Sequence, residues 1–98
     1  MIEQLATALA RIAGLVVEGK HEEAAREVDG CYRSLGVTRD MIARLDPATL
    51  AAMFGPGRAD AVARVLDAEA GVLRAQGRNA DADSKSRDAE ALRRAVGR

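Results

Sequence analysis

Aromatic side chains are almost missing from this 98-residue chain, which has Tyr32, Phe54 and no tryptophan. Its core must be built from aliphatic residues and alanine, and no run of aromatic or β-branched residues marks a strand. Cysteine occurs once, at Cys31, which excludes an intramolecular disulfide. His21 is the single histidine, so the second imidazole common in zinc sites is missing. Neither sign of charge dominates: 15 basic side chains face 15 acidic ones. That balance lacks the basic footprint of a typical nucleic-acid binder. No apolar run is long enough to cross a bilayer. The start lacks the basic segment, long apolar stretch and small-residue cleavage site of a secretory leader. A cytoplasmic protein with no membrane partner is the expectation.

What is present is alanine and helical periodicity. Hydrophobic residues make up 48% of the chain, and alanine is the strongest helix former. The length fits one all-α domain. Ile2, Leu5, Leu9, Ile12 and Val16 recur at spacings of three and four, which makes one apolar seam on a helix ending near Glu18. A second helix spans His21 to Leu35, with Glu22 and Glu23 in its first turn, where negative charge suits the helix dipole. Its stripe is Ala24, Val28, Cys31 or Tyr32, and Leu35. Thr38 can cap a short helix running through Leu45. Asp46-Pro47 then starts another, with a capping carboxylate ahead of a proline at the first helical position. Gly55-Pro56-Gly57 is read as a break. The fifth helix covers Arg58 to Gln76, with Ala59, Val62, Leu66, Ala70 and Leu73 as its stripe. The sixth runs from Asn79 to Val96 on Ala82, Ala89, Leu92 and Val96, and is expected to fray at Gly97-Arg98.

Two turns repeat one pattern. Gly19-Lys20-His21-Glu22-Glu23-Ala24 and Gly77-Arg78-Asn79-Ala80-Asp81-Ala82 each place a glycine five residues ahead of an alanine. The glycine ends one helix in a left-handed conformation, and the alanine lets the next helix pack closely. On these turns the chain resembles tetratricopeptide-repeat proteins. Leu15, Ala24 and Cys31 fall on that family's packing positions in the first hairpin. Ala70, Leu73, Ala82 and Ala89 do so in the second. His21 and Asn79 stand where the family often has tyrosine. The two glycines are 58 positions apart, which leaves about 24 residues beyond the usual repeat of about 34. The layout is similar to that of small bacterial tetratricopeptide-like proteins of unknown function. The resemblance implies a hairpin over 2–36, a short-helix insert over 37–57 and a hairpin over 58–96. It also implies a right-handed superhelical stack. Two repeats fall short of the roughly three needed for a continuous core. The insert, a second copy of the chain or a partner must supply the missing neighbour.

The candidate surfaces follow from that arrangement. In the resembled fold the inner face draws on Leu9, Ala13, Val16 and Val17, while Ile12 and Leu15 face the paired helix. Helix 1 then needs cover on two sides, either from the insert or from a self-association or client-helix groove. The matching positions on helix 5 are Arg64, Asp67, Gly71 and Arg74. Arg64 and Arg74 can grip a carboxylate through a bidentate fork, or sit in local pairs such as Asp60–Arg64 at i, i+4 spacing. Gly55-Pro56-Gly57-Arg58 looks like a helix-hairpin-helix turn, in which backbone amides meet a phosphate with Arg58 and Arg64 nearby. Neutral net charge speaks against that second reading. Cys31 lies in an apolar stripe, where a free thiol behaves as a small hydrophobe.

No nucleophile–base pair, phosphate loop or metal spacing is evident, so no enzyme activity, cofactor or metal is expected. The expectation is a non-catalytic protein-interaction module, joined to a protein partner or its own copy, with a homodimer favoured. Leu5, Leu9, Ile12 and Val16 are its apolar interaction residues, and Arg64 and Arg74 are charged ones. The alternative is a nucleic-acid-binding module using the Gly55–Gly57 turn. The N-terminal 36 residues carry net −2 and residues 77–98 net +2, an asymmetry that helps the ends of different molecules meet.

Overall fold

Six helices follow one another with short connections in this computed structural model, which describes the backbone of residues 2–97 and the side chains of residues 4–97. They are α1 (Ile2–Val17), α2 (His21–Leu35), α3 (Arg39–Arg44), α4 (Pro47–Phe54), α5 (Pro56–Ala75) and α6 (Asn79–Val96). No strand occurs among the described residues. The side chain of Ile2 and the whole of Arg98, both read from the sequence above, lie outside the described residues.

The twin turns close in the same way. Gly19 and Gly77 have φ of 78° and 79°. The amide after each glycine reaches back five residues, Lys20 N–H to the Leu15 carbonyl at 2.8 Å and Arg78 N–H to the Leu73 carbonyl at 2.9 Å. This bonding satisfies carbonyls that a helix end leaves open, and the left-handed backbone it requires suits glycine. The alanine of each motif then lands at the helix crossing. Ala24 and Ala82 are both 0% exposed.

Capping residues set the insert. The Thr38 hydroxyl accepts from the Met41 amide at 3.0 Å, and the Asp46 carboxylate accepts from the Thr49 amide at 2.7 Å. Gly55-Pro56-Gly57 does not act as a three-residue break. Only Gly55 is non-helical, with φ of 80°, and α5 begins directly at Pro56. Proline is preset for the first helical position, where its missing N–H would have no helical partner anyway. Helix α5 therefore starts two residues earlier than the sequence pattern suggests.

That helix is the axis of the fold. It packs against α1, α2, α4 and α6. Beyond the expected stripe it also buries Ala63, Val65 and Val72, because neighbours stand on several sides. Ala59, Val62, Ala63 and Val65 are wholly inaccessible, and the small residues let neighbouring backbones approach. The main core joins these to Ile12 from α1, Val28 and Tyr32 from α2, Ile42 and Leu50 from the insert, and Leu92 from α6. Each fully buried leucine, isoleucine or valine contributes about 1.5–3 kcal/mol over its exposed state. A separate small cluster, Ala70, Leu73 and Ala82, holds the Gly77 end. Helix α4 of the insert lies on α5 and α6, while α1 is held chiefly by α2 and α5.

Candidate interaction site

Helix α1 shows what becomes of its seam. Ile12 is 2% exposed and part of the core. Leu5, Leu9, Leu15 and Val16 are half-buried and packed against it. Val17, by contrast, is 87% exposed at the helix end. Leu5 has a second environment, because it also lines a groove of about 410 Å³ where α1, the end of α2 and the start of α5 meet. Leu35 and Ala61 complete the apolar lining, Gly36 and Gly57 leave it open, and Arg33 and Arg58 stand at its edge. None of the described lining residues is acidic.

Arg58 is placed by three features. Its Nε donates to the Leu35 carbonyl at 2.7 Å, at the end of α2. Its guanidinium carbon lies 4.8 Å from the centre of the Phe54 ring. A side-chain carbon at Gly36 would meet one of its terminal nitrogens at 2.7 Å. A cation at a helix C-terminus satisfies an open carbonyl and suits the dipole. Arg58 therefore ties α2, α4 and α5 together beside the Gly55–Gly57 turn while forming the groove edge. Arg64 is also engaged within the chain, donating to Asp60 at 3.1 Å. Arg74 reaches Asp83 at 3.3 Å and the Ser86 hydroxyl at 3.1 Å. Both of these arginines are exposed, Arg64 paired within α5 and Arg74 across to α6, and neither lines the groove.

A second feature escaped the sequence reading. Glu69 is the one buried charged residue in the described chain, at 8% exposure. The Tyr32 hydroxyl donates to its Oε1 at 2.7 Å and Arg39 Nε to its Oε2 at 2.8 Å. Arg39 also reaches Asp29 at 2.6 Å and lies 5.0 Å from the Tyr32 ring centre. Lys85 Nζ stands 3.9 Å from Glu69 Oε1. Burial, followed by the Glu69 charge, pushes the Tyr32 phenol well above its usual range. Burial works against the charge of Arg39, but hydrogen bonds to Asp29 and Glu69 outweigh it and raise its pKa. Both oxygens of Glu69 are thus occupied, and α2, α3 and α5 are locked at one point. The network walls a cleft of about 590 Å³ whose charged lining is balanced, Asp29, Glu69 and Asp81 against Arg39, Arg78 and Lys85. One signal was available in the sequence. Glu69 sits three residues after Leu66 and four before Leu73, on the stripe that α5 buries, where a carboxylate requires partners.

Cys31 is buried, and burial followed by the charge of Glu27 raises its thiol pKa. No group of three or more histidine, cysteine, aspartate or glutamate side chains among the described residues has a metal-binding arrangement. No described helix is long and apolar enough to cross a membrane. No protein-family description matches the chain, and no curated protein or solved structure matches it.

Proposed function

We propose that the chain is a non-catalytic protein-interaction module whose two helical hairpins stack in the tetratricopeptide manner. The paired glycine–alanine turns and the packing of α5 on both α1 and α2 support that stack. One observation carries the functional reading: the open apolar groove over Leu5, Leu35 and Ala61, edged by Arg33 and Arg58. Apolar floors with a few fixed polar groups at the edge are the usual form of a recognition surface. The basic edge selects a partner segment with an apolar anchor next to acidic residues. The seam residues Leu9, Ile12 and Val16 serve this surface from behind, by fixing α1 against the core.

The anionic apolar dye 1-anilinonaphthalene-8-sulfonate has both properties and probes the groove directly. The folded protein should bind one dye per chain, and Ala61→Trp or Arg33→Glu should weaken binding by about tenfold or more, roughly the loss of one good contact. Peptides selected from a random library against the intact protein should compete with the dye and share an apolar–acidic pattern. Absence of dye binding by the folded protein would remove this reading.

A further inference from the structure

The occupant of this groove is itself encoded in the chain. We infer that the groove receives the Val17 end of a second copy, so that the molecules join head to tail. The inference rests on the groove being a docking surface. Val17 is the most exposed large hydrophobic residue described, at 87%. It ends α1, and Glu18 follows it directly, paired with Lys20 at 3.3 Å. Glu22 and Glu23 lie in the first turn of α2, at the same end of the hairpin. Both are exposed, and no ion pair holds either among the described residues. An apolar knob in a surround of three acids to one base, Glu18, Glu22 and Glu23 against Lys20, thus stands at one end of the α1–α2 hairpin. The apolar groove with its two arginines stands at the other. Shape class and charge are complementary, and opposite charges at a rim set register and orientation.

A chain cannot satisfy its own groove. Leu5 and Val17 are separated by 12 positions on one rigid helix, about 18 Å at the usual rise. The knob must therefore come from another molecule. Joined head to tail, the contact is heterologous and each added molecule offers a fresh knob and a fresh groove, whereas two copies exchanging both knobs across a two-fold axis would close at two. Association then continues past two, into a ring or an open filament. One valine supplies the apolar anchor, so each contact is weak and the assembly follows concentration.

Light scattering from about 10 μM to about 1 mM, at low salt to limit screening, reads the assembly. Average mass should climb without stopping at two, and added salt should lower it. Val17→Asp should return the protein to monomer, as should Ala61→Trp. Arg33→Glu, at an exposed position, is the second groove variant should tryptophan disturb the helices by circular dichroism. The decisive test is a mixture. Val17→Asp keeps a groove and Arg33→Glu keeps a knob, so together they should form dimers and nothing larger. Four outcomes would overturn the inference: a wild-type monomer throughout, a wild-type mass that stops at two, an assembly indifferent to Val17→Asp, or a variant mixture that stays monomeric. A monomer that still binds the dye through Arg33 ends the head-to-tail contact and leaves the docking groove standing. Loss of dye binding as well removes both.

Discussion

Tyr32→Phe removes one oxygen and leaves every apolar contact of the ring in place. The lost bond is a 2.7 Å donation to the carboxylate of Glu69, within a buried pair. Hydrogen bonds to charged groups contribute about 1.5–3 kcal/mol. Lys85, 3.9 Å from the same oxygen, can close part of the gap, which places the expected loss near the lower end, about 1.5 kcal/mol. For a domain of this size that is a fall in Tm of roughly 6–12 °C. Urea unfolding followed by helical circular dichroism measures it, provided the slope with urea stays unchanged. The control is Glu69→Leu, which removes the acceptor. In that background Tyr32→Phe should cost about 0.5 kcal/mol or less, because neighbouring residues in one network are non-additive. Equal losses in both backgrounds, or no loss in the first, would refute the role given to this bond. The pH dependence has a definite sign. Folding raises the Tyr32 pKa above its ordinary 10.0, so near and above pH 10 the unfolded chain releases a proton that the folded chain keeps. The advantage of Tyr32 over phenylalanine should be intact below pH 9 and shrink as pH rises through 10.

Three further outcomes follow from the backbone and the thiol. Gly77→Ala, at φ of 79° with open space around it, should cost about 1–2 kcal/mol from backbone conformation alone, whereas Gly71→Ala, inside α5 and equally unobstructed, should stabilise by about 0.5–1 kcal/mol; paired thermal melts decide. Asp46→Ala should lower stability at neutral pH. Hydrogen bonds from the Thr49 backbone and side chain hold the Asp46 pKa below 3.8, so the difference from wild type should fade as pH drops through and below that value. Cys31 should resist 5,5′-dithiobis(2-nitrobenzoate) at pH 8 in the folded protein and react fully in denaturant; fast reaction of the folded form would contradict its burial and raised pKa.

The elements governed by local chemistry are legible in the sequence. Thr38, Asp46-Pro47, Gly19 and Gly77 act within a few residues of themselves, so the pattern that names them also positions them. The start of α5 departs from its sequence pattern for a related reason. Proline and glycine signal a break in isolation, but a proline at the first helical turn extends the helix instead. Longer-range features were less visible. Val65 and Val72 lie off the simple stripe and are buried only because α5 has neighbours on several sides. The Glu69–Tyr32 and Arg39–Glu69 bonds join residues 37 and 30 positions apart, a juxtaposition that no helical period encodes. For the interaction surface, Leu5 was visible as a seam residue. Its groove was not, because Leu35, Gly36 and Ala61 meet it only after α2 and α5 have docked.

The division of the core into two unequal clusters has a kinetic consequence. The Gly77 end depends on Ala70, Leu73 and Ala82, and two of these are alanines with little surface to bury. The first half of α6 adds mostly polar residues to that end. Local opening there costs less than global unfolding, since few apolar contacts must separate. Amides from Asn79 to Asp83 should exchange with deuterium well ahead of those around Val62 and Leu66, and a protease present in trace amounts should cut near Gly77 first. The fold would then release the leading edge of its last helix as a unit while α5 stays protected at its centre.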